Sequence, residues 1–247
     1  MTRAVDLNAD MGEYADEAQR VIEEALMPLI TSCSIACGGH AGDASTMTAT
    51  VRLAKEHGVS IGAHPAYPDR EGFGRRSIPY DPEDLQNSLR EQIKELSSVL
   101  KNESALLRHV KPHGALYNDA AKNPDLASLV VGAVDDAIIV GPPGSELEKA
   151  AQEKGLPFAP EGFVDRLYQA SGALTPRSEP GAVIEDVSAR AEQALAIAKG
   201  AAFNAADGAL RLNVKTLCIH SDSPGAVETA KAVRDALMAD SIAIRAF

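Results

Sequence analysis

"AVDLNADMGE", residues 4–13, decides what kind of α/β protein this chain makes. Read as a strand, it sets Asp6, Asn8 and Asp10 on one face, because successive side chains point to opposite sides. An acidic stripe turned inward is costly unless water, a cation or a ligand meets it. The stretch also contains a single glycine, so it lacks the G-x-G-x-x-G turn with which a dinucleotide-binding sheet begins. A doubly wound nucleotide fold is therefore a weak reading. A barrel with polar groups inside it is the stronger one.

The rest of the chain repeats that beginning. Short apolar runs recur at "SCSIAC" (32–37), "VSIGAH" (59–64), "LLRHVK" (106–111), "AIIVG" (137–141), "FAPEGF" (158–163) and "TLCIHS" (216–221), with a further one at "SIAIRAF" (241–247). Between them lie stretches with apolar residues at three- and four-residue intervals, such as "EAQRVIEEALMPLI" and "TMTATVRLAKEHG". "YDPEDLQNSLREQIKELSSVL" announces its own start: Asp81 as N-cap, Pro82 at the first helical position, Glu83 and Asp84 against the positive dipole end. Strands alternating with helices imply parallel pairing and right-handed crossovers. Seven or eight such units predict one (β/α) barrel domain over residues 1–247, a distorted, seven-stranded relative of the TIM barrel. "GALRLNV" (208–214) reads as a hairpin inserted before the last long run.

Composition narrows the function. Of 247 residues, 45% are apolar, enough for a buried core, and the net charge of −11 offers no basic face for nucleic acid or an anionic membrane. No run approaches a membrane span, and "MTRAVDLN" lacks the apolar stretch of a signal peptide. Three cysteines cannot all pair, so a reduced, cytoplasmic protein is expected. With no Trp, a carbohydrate-stacking surface is disfavoured.

A barrel carries its active site at the C-terminal ends of its strands. The polar residues there are Asp6, Asn8, Asp10 and Glu13 after the first strand, His40 and Asp43 after the second, and His64 with "YPDREGFGRR" after the third. Lys111 and His113 follow the fourth, Glu161 and Asp165 the sixth, His220 and Asp222 the last long one. Pro112 fixes the turn between Lys111 and His113, so that in an extended chain both project to the same side. Plainer roles compete at several positions. Asp10 and Asp43 suit helix N-caps, His57 a helix C-terminus, and His109 a satisfied core histidine. Cys33 and Cys37 read as buried fillers. Arg75 and Arg76 read either as a solvated loop or as a clamp for phosphate or carboxylate.

Six ordered stretches resemble the LamB/YcsF family, which supplies one component of the prokaryotic ATP-dependent 5-oxoprolinase: "DLNADMGE", "ACGGHAGD", "IGAHPAYPDREGFGRR", "VKPHGALYN", "EGFVDRLY" and "IHSDSP". The similarity covers nearly the whole chain. Two positions depart from the family pattern: Gly39 stands where an aromatic residue is usual, which would widen the pocket beside His40, and Ser221 where a glycine is usual. The resemblance implies a barrel related to metal-dependent polysaccharide deacetylases. It also implies a part in opening the lactam of 5-oxo-L-proline to L-glutamate, with ATP consumed and two further subunits, B and C, completing the enzyme.

That chemistry assigns the candidates. Asp10, Glu13, His64, Lys111, His113 and Asp222 form the catalytic set: His113 or His64 moves protons, Asp10 and Asp222 orient them or bind a cation, and Lys111 with Arg75 and Arg76 holds an anionic group. Asn8, His40, Arg75, Arg76, Glu161, Asp165 and His220 form the substrate-binding set. The cofactor expected is ATP, used through the assembled complex, with room left for a divalent cation. Two alternatives stay open. One is a metal-dependent amide hydrolase working without ATP, with Asp10, His40 and His64 as ligands. The other is a non-catalytic subunit that delivers substrate.

Overall fold

The inward acidic stripe is real, and it is tolerated because other strands supply its partners across the barrel. A computed structural model describes residues 3–247. Strand β1 (Ala4–Met11) pairs in parallel with β2 (Ser32–Ala36), and the sheet continues through β3 (Ser60–His64), β4 (Leu107–Val110), β5 (Ile138–Gly141) and β6 (Phe158–Phe163). From β6 it passes to β9 (Thr216–Cys218), which pairs back onto β1 and closes a seven-stranded parallel barrel. Two-residue β10 (Ala243–Ile244) joins the start of β1, and β7 (Phe203–Ala205) with β8 (Gly208–Leu210) forms the separate antiparallel hairpin before β9.

Helices α1 (Glu17–Leu26), α2 (Ala44–Glu56), α3 (Pro82–Asn102), α4 (Gly114–Ala120), α5 (Pro124–Gly132), α6 (Glu146–Lys154), α7 (Val187–Lys199) and α8 (Ala226–Ala239) make the crossovers. Asp81 caps α3 as its sequence predicts, accepting from the amides of Glu83 and Asp84, and Asp43 caps α2 through Thr46 N. The first helical run stops four residues early: Pro28 tightens residues Met27–Leu29 into a 3₁₀ turn that feeds β2. The apolar core lies between strands and helices, with Leu7, Ala9 and Met11 of β1 buried there beside Ile35, Val51 and Leu89.

The barrel interior is polar in its lower half. Asp6 accepts from the hydroxyls of Thr31 (2.6 Å), Ser32 (2.7 Å) and Thr216 (2.5 Å). His109 of β4 reaches past β3 to Ser34 Oγ of β2 at 3.2 Å. Gly62 permits that crossing, since a Cβ there would stand 2.2 Å from the imidazole. His109 is thus a buried interior histidine with one ring nitrogen engaged; its Nδ1 has no partner among the described residues. No helix among the described residues is long and apolar enough to cross a membrane.

Candidate active site at the barrel mouth

Two residues further along the same face of β1, the chemistry changes. Lys111, two per cent exposed at the end of β4, points into the barrel. Its ammonium lies 2.9 Å from Asp10 Oδ1, 2.8 Å from Glu161 Oε1, 3.2 Å from Asn8 Oδ1 and 3.3 Å from Cys218 Sγ. Burial would drive the proton off this lysine, but Asp10 and Glu161 raise its pKa well above the ordinary value and keep it charged. Asn8 in turn donates to Glu161 (3.0 Å) and Thr216 (2.6 Å). The ammonium thus has two carboxylates within ion-pair distance and hydrogen bonds to Asn8 Oδ1 and Cys218 Sγ. Lys111, expected from the sequence to hold an anionic ligand, bridges the carboxylates of β1 and β6 and also lines the cavity.

Beside this group stands a second one, built on Glu13. Gly12, with φ at +72°, turns the chain out of β1. The buried Glu23 of α1 then accepts the amides of Gly12 (2.6 Å) and Glu13 (3.0 Å) and fixes the turn. The pKa of Glu23 is raised to about 7 by burial. Glu13 Oε1 so placed lies 2.6 Å from His40 Nε2, 3.1 Å from His113 Nδ1 and 3.6 Å from His64 Nε2. The rings of His40 and His113 stack 3.6 Å apart, with the edge of Phe73 against both. Burial opposes ionisation of Glu13, but contact with the imidazoles of His113 and His40 lowers its pKa below the usual range. Burial takes His40 down to about 4. For His64, burial pulls down while Asp10, 3.3 Å away, and Glu13 pull up, and the net shift is upward. Glu13, His40, His64 and His113 each offer one donor atom, all within 4.8 Å of one another. A cation would therefore be held by these four. Asp10, read beside His40 and His64 as a metal ligand, lies outside this group of four: its Oδ1 pairs with Lys111 and its Oδ2 lies 3.3 Å from His64 Nε2.

A third pair completes the wall. Asp165 accepts from His220 Nδ1 (2.8 Å to Oδ1, 3.0 Å to Oδ2) and from Ser223 Oγ (2.7 Å). Burial would raise the Asp165 pKa, but His220 outweighs it and the value falls to about 2. Phe163 stacks on the His220 ring at 5.2 Å and sets its plane.

One cavity of about 380 Å³ unites these parts. Asp10, Glu13, His64, Lys111, His113, His220 and Asp222 line it with Arg75. Asn8, His40, Glu161 and Asp165 stand behind the lining and hold it. Two assignments change. Arg75 and Arg76 do not act together: Arg75 pairs with Asp222 at the rim, whereas Arg76 leaves the cavity to bind Asp69 through both carboxylate oxygens. Asp222 pairs with no histidine among the described residues, whereas Asp165 pairs with His220. Gly39 does not widen the pocket either, for a Cβ there would meet Gln92 at 2.4 Å, and Gln92 is itself bonded to the backbone of Ala66. Ser221 donates to the carbonyl of Asp10 at 3.1 Å.

Sequence reasoning passed over Phe163, Tyr117, Lys122, Arg166 and Arg177, all of which line the cavity. Phe163 sits inside a quoted motif but carries no titratable group. Arg177 belongs to the segment after β6, which is pinned over the mouth by Arg166 bonds to the carbonyls of Thr175 and Ala182 and has no periodicity to announce it. Glu23 did leave a signal, an acid three residues before the buried Leu26 on the inward side of a helix.

Residues 5–247 match the model of the LamB/YcsF family. A protein of Methylococcus capsulatus, named as a 5-oxoprolinase subunit, is 43% identical over 251 residues, covering 100% of this chain and 96% of that one. One of Pyrococcus furiosus with the same name is 43% identical over 245 residues, covering 97% and 96%. The crystal structure of a lactam utilization protein from Thermus thermophilus superposes with a TM-score of 0.90 at 41% identity, covering 99% of this chain and 100% of that one. The T48 deacetylase shares the fold, with a TM-score of 0.52 at 11% identity over 98% of this chain and 87% of its own.

Proposed function

The chain belongs to the LamB/YcsF family, and on that premise we propose that it is the lactam-opening component of an ATP-dependent 5-oxoprolinase, assembled with two partner subunits. The observation that carries this reading is the convergence of a charged lysine, two ionised carboxylates and three imidazoles on the wall of one small cavity. A five-membered lactam needs that combination. Its amide is resonance-stabilised and its nitrogen leaves poorly, so the carbonyl carbon wants an activated water and the nitrogen wants a proton.

In the proposed reaction a water oxygen bonds to the lactam carbonyl carbon while the ring C–N bond breaks. The Glu13–imidazole cluster binds and polarises the water, and Asp10, beside His64 and held by Lys111, accepts its proton. His220, in its imidazolium form, supplies a proton from Nε2 to the departing nitrogen, since Asp165 engages its Nδ1–H and Nε2 is the nitrogen left free. Arg75, Lys122 and Arg177 at the rim suit the substrate carboxylate. Acid–base catalysis of this kind contributes about 10²–10⁴-fold, which is modest for an unactivated amide. ATP spent in the assembled complex would cover the remainder by phosphorylating the lactam oxygen with release of ADP; water attack with C–N cleavage then leaves an acyl phosphate, which a second water hydrolyses to glutamate and phosphate. The three imidazoles around Glu13 favour a second reading, an amide hydrolase that needs no ATP.

The test is glutamate formation from 5-oxoproline by this chain co-purified with its partners, with and without ATP. Dependence on ATP and on the whole complex, lost in His113→Ala and His220→Ala variants that still fold, supports the proposal. ATP-independent glutamate formation by the chain alone supports the second reading. Near-normal turnover in both variants reduces the chain to substrate delivery.

A further inference from the structure

We propose that Glu13, His40, His64 and His113 bind one divalent transition-metal ion of the kind that imidazole and carboxylate donors share, such as zinc or cobalt(II). Backbone carbonyl groups dictate where the ring hydrogens sit. His64 Nδ1 lies 2.7 Å from the Lys111 carbonyl and His113 Nε2 lies 2.9 Å from the Phe73 carbonyl. A carbonyl only accepts, so each of these nitrogens carries a hydrogen. The opposite nitrogens, His64 Nε2 and His113 Nδ1, then present lone pairs when the rings are neutral, and they face one another at 3.0 Å. Both also face the carboxylate oxygen of Glu13. Lone pairs repel at that distance unless positive charge lies among them. One shared proton relieves a single contact and leaves the others unmet. A metal ion relieves all of them, and imidazoles whose outer N–H is tied to a backbone carbonyl are the usual form of a metal-binding histidine.

Asp10 and Glu161 are buried and both pair with Lys111, which leaves the Glu13 carboxylate to the three histidines. Glu13, His64 and His113 also line the cavity, so an ion held by them faces substrate. There it would polarise a carbonyl and acidify a bound water. The ion is what the water-binding cluster of the proposed lactam reaction holds, so its role rests on that reading; its binding is a property of the isolated chain and can fail separately.

The experiment uses the full chain, stripped with a chelator and titrated with zinc or cobalt(II) alone. Elemental analysis should give one ion per chain. Cobalt(II) should develop ligand-field absorption in the visible, and the thermal transition should rise with either metal. Loss of an outer partner costs metal sites about 10–100-fold in affinity, so Glu13→Gln and His113→Gln should lose at least that much. Asp10→Asn and Arg76→Ala should keep the stoichiometry. Should His113→Gln not fold, His40→Gln carries the same expectation. A folded wild-type chain that binds no ion, or one whose binding fails with Asp10→Asn and survives Glu13→Gln, overturns the inference. Undiminished glutamate formation by a metal-free complex would overturn the ion's role and leave the lactam reading intact.

Discussion

Asp6 and Asp10 stand on the same face of the same strand, four residues apart, yet they belong to different kinds of interior. Asp6 sits low in the barrel among three hydroxyl donors. Burial raises its pKa despite those hydrogen bonds, and no positive side chain pairs with it among the described residues. Asp10 sits at the mouth. Burial opposes its ionisation too, but His64 and Lys111 overcome that and lower its pKa well below the ordinary value. Buried polarity alone therefore does not mark function here. The lower layer is closed and neutralised by hydroxyls; the upper layer concentrates ionised groups whose partners are ionisable and open to a cavity.

The largest test of that contrast removes its keystone. Lys111→Met leaves Asp10 and Glu161 facing each other without compensation, which should cost about 3–5 kcal/mol in urea unfolding and eliminate turnover. Glu23→Ala strips the acceptor from the amides of Gly12 and Glu13, so stability should fall by about 1–3 kcal/mol. Turnover per folded molecule should fall as well, because Glu13 loses its fixed position. Normal turnover would show that the turn holds without Glu23.

The lower layer has its own pH signature. Burial, with help from the Lys111 charge, takes His109 from an ordinary 6.5 to about 3. Below pH 6.5 the unfolded chain takes up a proton that the native ring refuses, so this contribution is complete above 6.5 and is lost as the pH falls toward 3. The slope is about 1.4 kcal/mol per pH unit. His109→Gln should flatten the stability–pH curve by that amount; an unchanged curve would place the acid sensitivity elsewhere. The smallest effect is at the rim. Arg76→Ala breaks a surface pair in which the guanidinium is exposed and Asp69 is buried, and should cost about 1 kcal/mol with KM unmoved, whereas Arg75→Ala should raise KM for an anionic substrate.

Much of this was legible in the sequence. Every barrel strand, the second arm of the hairpin before β9 and the short terminal strand coincide with runs visible as letters, because strand ends in this chain are marked by Gly, Pro and His. The site was legible to the extent that titratable side chains at those ends converge. What the letters hid is set by distance in three dimensions. Arg75 and Arg76 are neighbours in sequence, but adjacent residues need not share a direction, and Asp69 claims one of them. Lys111 looked like a free cation because nothing local reveals that residues 10 and 161 converge on it. Gly39 looked like an opening because Gln92, which fills the space, comes from a distant helix. Phe163 and Arg177 carry no local pattern at all.

The most direct measurement compares Asp6→Asn with Glu13→Gln in the reconstituted complex, following ATP-dependent glutamate formation from 5-oxoproline per folded molecule. Asp6→Asn should keep its turnover even where it loses stability, and Glu13→Gln should lose about 10²–10⁴-fold while remaining folded. Loss of turnover in the first with retention in the second would place the chemistry in the wrong half of the barrel.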